Sequence, residues 1–182
     1  HLLATLPGQI VTDEAVDLAQ TPGDIVILSA ADSELALLAG ARAALGEGFP
    51  SVRLANLMQL RHPMSVDLYL DKVLAKSRLV IVRLLGGASY WSYGVDQLAA
   101  LAQAGGPAIA LLPGDDKPYA DLIVRGTVGA DAALRLWRYL SHGGGANARN
   151  ALGFAASLIG HGTAWAEPVP VARAGIYWPG AH

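Results

Sequence analysis

Three aromatic residues, Tyr90, Trp91 and Tyr93, fall within a four-residue stretch of a loop that opens with Gly86 and Gly87 and holds Ser89. Glycine lets backbone approach a ligand closely. Tyr and Trp present flat apolar faces with polar tips, which suits a large conjugated molecule. The same residues also suit a cap over the edge of a sheet. Three further loops carry usable chemistry: Ser29 to Ser33 with Asp32, Asn56 to His62 with Gln59 and Arg61, and Gly114 to Asp116 with Asp115. Together they supply carboxylates, amides, a guanidinium and an imidazole, a set fit for an amphipathic ligand with amide or carboxylate arms. Each has a plain structural use as well. Asp32 and Ser33 can cap a helix, and Asn56 and Gln59 can bond loop backbone. Arg61 and His62 can shape the turn before Pro63, and Asp115-Asp116 can be a solvated turn.

The elements that must position these loops are four apolar runs, Ile25–Ser29, Val52–Leu54, Leu79–Leu84 and Ala108–Leu112. They start about 30 residues apart, the length of one βα unit, so they read as parallel strands joined by crossover helices. Glu34–Leu45 follows helical spacing after a cap at Asp32 or Ser33 and stops at Gly46. Ser65 caps a second helix after Pro63, and a third runs from Val95 to Ala104, ended by Gly105-Gly106-Pro107. Two more follow, Ala132–Leu140 capped by Asp131 and Ala146–Ile159, separated by Gly143-Gly144-Gly145. Leu2–Leu6 reads as an edge strand, and Glu14–Ala19 as a short helix or an irregular connection. The expectation is an α/β domain of the flavodoxin or Rossmann-like kind. It has an open, mostly parallel sheet of four to five strands, flanking helices, C-terminal helices and a linker. Residues 1–160 form this head domain. Residues 161–182 read as a linker leading into the first strand of a further domain, at Ala174-Gly175-Ile176-Tyr177. In parallel sheets, ligands sit at the carboxyl ends of the strands, where the four loops fall.

Composition narrows the function. The chain has 182 residues, 53% hydrophobic and only 15% charged, which suits a buried parallel sheet or a surface that meets another one. A net charge of -2 leaves no electrostatic footprint for nucleic acid, and no polybasic run addresses an anionic membrane. The apolar runs are strand-sized, far short of the ~20 residues of a membrane span. No signal-peptide pattern opens the chain. There is no cysteine, which rules out thiolate chemistry and fits a cytoplasmic setting. No phosphate-binding P-loop, dinucleotide fingerprint, zinc-binding helix motif or nucleophile elbow is present. The histidines are scattered and do not suggest a metal site.

Taken in order, several segments resemble a known family, the large subunits of aerobic cobaltochelatase. They are Asp24 to Glu34 and Arg53-Leu54-Ala55-Asn56-Leu57, then Leu60-Arg61-His62-Pro63 and Ser65-Val66-Asp67. Arg83 to Gly87, Ser89-Tyr90-Trp91, Tyr93-Gly94, Ala110 to Asp116 and Leu136 to Leu140 continue the match. The magnesium-chelatase large subunit is a more distant relative. The resemblance implies a longer protein that takes part in ATP-dependent insertion of Co2+ into hydrogenobyrinic acid a,c-diamide, a corrin precursor of cobalamin. It implies Co2+ and ATP for the whole complex, with neither expected on this stretch. The partners it implies are the remaining domains of the subunit, two AAA+-type subunits and the corrin precursor, with no nucleic acid and no membrane. No catalytic or metal-binding residue carries over, because chelation belongs to the later domains. Two roles remain for the head. It can contact the macrocycle through Gly86, Gly87, Ser89, Tyr90, Trp91, Tyr93, Asp32, Ser33, Asn56, Arg61 and His62, or it can dock other parts of the assembly. The alternatives are a stand-alone flavodoxin-like module binding another small molecule, or a magnesium-chelatase H-type head domain.

Overall fold

The computed structural model describes residues 14–115, 117 and 120–171. Among these, four parallel strands form one sheet in the order β2-β1-β3-β4: β1 Ile25–Ser29, β2 Val52–Asn56, β3 Leu79–Leu84 and β4 Ala108–Pro113. The α/β class and the four apolar runs are as the sequence indicates. Ile25 pairs with Val52 on one side and with Leu79 on the other. β1 is buried along its whole length, which is why it reads as an unbroken apolar run.

Among the described residues six α-helices flank the sheet: α1 Asp32–Ala44, α2 Pro63–Lys72, α3 Ser92–Gln103, α4 Ala120–Ile123, α5 Ala130–His142 and α6 Gly145–Leu158. Alternate strand residues serve opposite faces. Ile25, Ile27, Leu79 and Ile81 face a core closed by α1, α5 and α6. Val26, Leu28, Val80 and Val82 face a second core closed by α2 and α3. Both outer strands are partly covered, which limits their use as templates for another chain. Gln20 Nε2 donates to Leu54 O at 2.8 Å on β2. On β4, the N–H groups of Thr127 and Val128 both donate to Ile109 O.

The helix starts differ from their expected caps. Ala31 precedes α1 with no side-chain bond, because Asp32 turns aside to another partner and Ser33 stays exposed. His62 caps α2, its Nδ1 accepting from Met64 N at 3.1 Å. Ser65 instead lies buried inside α2 and accepts from Val16 N at 2.7 Å. Gly129 precedes α5, with Asp131 in its first turn. Helix α3 begins at Ser92, three positions before the predicted start, because a 3-10 turn over Ala88–Trp91 runs straight into it. Residues 15–23 form no helix or strand. They are fastened to α2 by Val16, by Tyr69 Oη donating to Gln20 Oε1 at 2.7 Å, and by a Lys72–Asp17 ion pair. The Leu2–Leu6 and Ala174–Tyr177 strand readings lie outside the described residues.

Residues 161–171 also lack regular structure, yet they form a strap tied to α5 and α6. Asn147 holds both Val169 N and Val169 O, at 3.0 and 2.7 Å. Arg135 grips Glu167 with two bonds of 2.9 and 3.0 Å, and Tyr139 Oη donates to Ala166 O. Trp165 packs edge-on against Phe154 at 4.9 Å, with the Arg135 guanidinium over both rings.

Candidate functional site

Parallel strands bring all their carboxyl ends to one edge, and the four loops singled out in the sequence meet there as far as they are described; Asp116 lies outside the described residues. The chain passes from β1 to β2 on one side, then crosses to β3 on the other. That reversal is the switch point at which open α/β sheets hold ligands.

The aromatic loop divides between inside and outside. Trp91 is only 5% exposed, and its Nε1 donates to Leu60 O at 2.9 Å. It belongs to the α2–α3 core, so its ring face is not available to a ligand or a neighbouring domain. Gly94 serves this packing: a Cβ there would stand 2.1 Å from Trp91 Cε2. Tyr90 and Tyr93 point outward, 47% and 37% exposed. Tyr90 Oη donates to Met58 Sδ at 2.9 Å, and Tyr93 Oη donates to Asp67 Oδ1 at 2.6 Å. The bond to the Asp67 carboxylate holds the Tyr93 phenol above its ordinary pKa. Gly86 and Gly87 have φ of +84° and +80°, so they make a turn that side chains rarely allow. Ser89 is exposed.

The polar candidates are largely occupied by one another. Asn56 Nδ2 donates to Asp32 Oδ1 at 2.7 Å, and its Oδ1 accepts from Met58 N at 2.9 Å. The amide thus stitches the β1 loop to the β2 loop. His62 is spent on its cap. Arg61 is exposed and forms no ion pair with another described residue. Arg61, Tyr90, Trp91, Ser92 and Tyr93 line an open hollow of about 230 Å³. Met58, Met64 and Leu85, which follow the carboxyl ends of β2 and β3, are also exposed, so the edge presents apolar side chains.

Sequence reasoning missed a second constellation at the same edge. Arg83 Nε meets Glu34 Oε1 at 3.1 Å, with side chains only 10% and 13% exposed. Ser29 Oγ donates to Glu34 Oε2 at 2.6 Å and accepts from Ala31 N at 3.1 Å. Arg83 Nη1 donates to Pro113 O at 3.1 Å. The available signal was a lone arginine inside the apolar strand Leu79–Leu84, since a charge there needs a partner.

No group of three or more His, Asp or Glu side chains placed to hold a metal exists among the described residues. No described helix is long and apolar enough to cross a membrane.

Fold and edge together define a doubly wound α/β domain with a switch-point crevice and an exposed apolar rim. No family model matches the chain. It is 46% identical over 181 residues to the aerobic cobaltochelatase subunit CobN of Pseudomonas aeruginosa, and 47% identical over 183 residues to that of Sinorhizobium sp. Those alignments cover 98% and 100% of this chain but 14% of each relative. The solved catalytic subunit of cobaltochelatase from Mycobacterium tuberculosis superposes with a TM-score of 0.65 at 30% identity, over 81% of this chain and 11% of that one. The chain belongs to the family of cobaltochelatase CobN subunits and spans about a seventh of their length.

Proposed function

We propose that this chain is the head of a cobaltochelatase large subunit, and that its carboxyl edge docks on the rest of that subunit. The observation that carries the reading is the near-complete alignment of the chain with two CobN proteins at 46% and 47% identity. The complete enzyme would take Co2+ as substrate and insert it into a corrin precursor in the cytoplasm, with ATP hydrolysed by two AAA+-type partners. The head would supply no catalytic residue. Docking is favoured over macrocycle contact because Trp91 is turned inward, while Met58, Met64, Leu85, Tyr90 and Tyr93 leave an apolar rim facing out.

The test pairs this chain with the remaining part of the large subunit, produced separately. The two should associate, and Met64→Glu with Leu85→Glu should weaken association at least ~10-fold by desolvating charge in the contact. Unchanged association in the double variant would sink docking through this edge. Macrocycle contact keeps one observation in its favour, the hollow lined by Arg61, Tyr90 and Tyr93. Saturable quenching of tryptophan emission by hydrogenobyrinic acid a,c-diamide, lost in Tyr90→Ala, would favour it instead.

A further inference from the structure

We infer that the crevice between the β1, β3 and β4 carboxyl ends is a binding site for a small uncharged ligand ending in a group that both donates and accepts, a primary carboxamide. The crevice holds about 160 Å³ and is lined by Ser29, Ala30, Ala31, Glu34, Arg83, Leu85 and Gly114. It lies at the switch point of the sheet order β2-β1-β3-β4, away from the rim hollow of Arg61 and Tyr90. Its shape is maintained by close backbone approach. A Cβ on Gly114 would stand 2.9 Å from Leu85 N, so the two loops meet only because that position is glycine.

Charge selects the ligand. The Arg83 guanidinium and the Glu34 carboxylate neutralise each other, both nearly buried. Asp32, one residue beyond the crevice wall, adds a negative charge in the first turn of α1. At the same place the positive end of the thirteen-residue α1, whose N-cap Ala31 lines the crevice, opposes that charge. Neither an anion nor a cation therefore finds a net counter-charge to offset its desolvation. A neutral group avoids both penalties.

Hydrogen bonding then narrows the neutral groups. Arg83 sets Nε 3.1 Å from Glu34 Oε1 as an ion pair and donates Nη1 to Pro113 O and, at 3.4 Å, to Ser141 Oγ; among the described residues Nη2 has no hydrogen-bond partner. Glu34 Oε2 accepts from Ser29 Oγ and Oε1 faces Arg83 as an ion pair, which leaves acceptor capacity on both oxygens. A donor beside an acceptor is matched by the C=O and NH2 of a primary amide. The walls from Ala30, Ala31 and Leu85 leave room for a short apolar body.

The experiment is a 15N–1H NMR titration of the whole chain with butyramide, with butyrate and butylamine as charged comparators. Butyramide should bind saturably in the millimolar range. The amides of Ala31, Leu85 and Gly114 and the Arg83 Nε–H should shift together, and neither comparator should saturate. Ala30→Leu fills the crevice without touching the ion pair and should weaken butyramide at least ~10-fold. Glu34→Gln keeps the shape but removes the negative charge, and should reverse the preference toward butyrate. A purely structural ion pair would give no such reversal. Butyrate binding the unmodified chain as well as butyramide, unchanged affinity in Ala30→Leu, or no saturable butyramide binding would each overturn the inference. Chemical-shift dispersion in each variant reports whether the fold is kept.

Discussion

The aromatic loop at the sheet's carboxyl edge and the strap over α5 and α6 use the same residue types to different ends. Each combines aromatics, an arginine and a nearby carboxylate. On the strap, the protein closes the arrangement itself. Arg135 stacks on Phe154 and Trp165 and is chelated by Glu167, while Tyr139 and Asn147 tie down the backbone. At the edge, Trp91 is consumed by the core, but Tyr90, Tyr93 and Arg61 remain at the surface. Residue type therefore does not identify a working surface. What distinguishes the two is the arginine: Arg135 is paired with Glu167, whereas Arg61 forms no ion pair with another described residue.

The sharpest way to break the comparison is inside the edge loop. Trp91→Ala should cost about 3–5 kcal/mol of stability, as for other buried aromatics, whereas Tyr90→Ala should cost about 0.5 kcal/mol. Urea denaturation of both would show it; equal effects would mean that Trp91 is not part of the core. Next, Gly94→Ala should destabilise by about 1–3 kcal/mol, because the new methyl collides with the indole. A red shift of tryptophan emission should accompany the loss.

Asn147→Ala tests whether the strap is fixed. It removes both bonds to Val169 and should cost about 1–3 kcal/mol, with faster proteolysis in residues 161–171. Protease resistance unchanged from the parent would mean that other contacts suffice. The smallest effect concerns pH. Burial pushes the Tyr139 phenol up to about 12, with Glu167 adding to the shift. The ionised form is disfavoured in the fold, so Tyr139's contribution is complete below about pH 10 and is lost as pH rises toward about 12. Stability measured across that window should fall, and Tyr139→Phe should fall less steeply.

The strands were readable because each is a short, mainly apolar run bounded by turn residues, rich in β-branched residues in Ile25–Ser29 and Leu79–Leu84. Val52–Leu54 came out two residues short, since Ala55 and Asn56 carry no strand preference and are recruited by pairing with Leu28 and Ser29. The caps were less readable. Asp32 and Ser65 are good cap residues, but each found a stronger partner elsewhere, Asn56 for one and Val16 N for the other. The candidate loops were located correctly at one edge, while the roles within them were not, because burial of Trp91 depends on Leu60 and Gly94 together.

By itself, then, the sequence determined the α/β class, the strands, the stops at Gly46 and Gly105, and the gathering of four loops at one edge. Those follow from hydrophobic periodicity and backbone preferences that act within a few residues. Only the tertiary structure decided that Trp91 turns inward, that Arg83 meets Glu34, and that Asn147 clamps Val169. Those pairings join positions far apart in the chain. They depend on which side chains the packed sheet and helices bring within hydrogen-bond reach, a choice that local patterning does not carry.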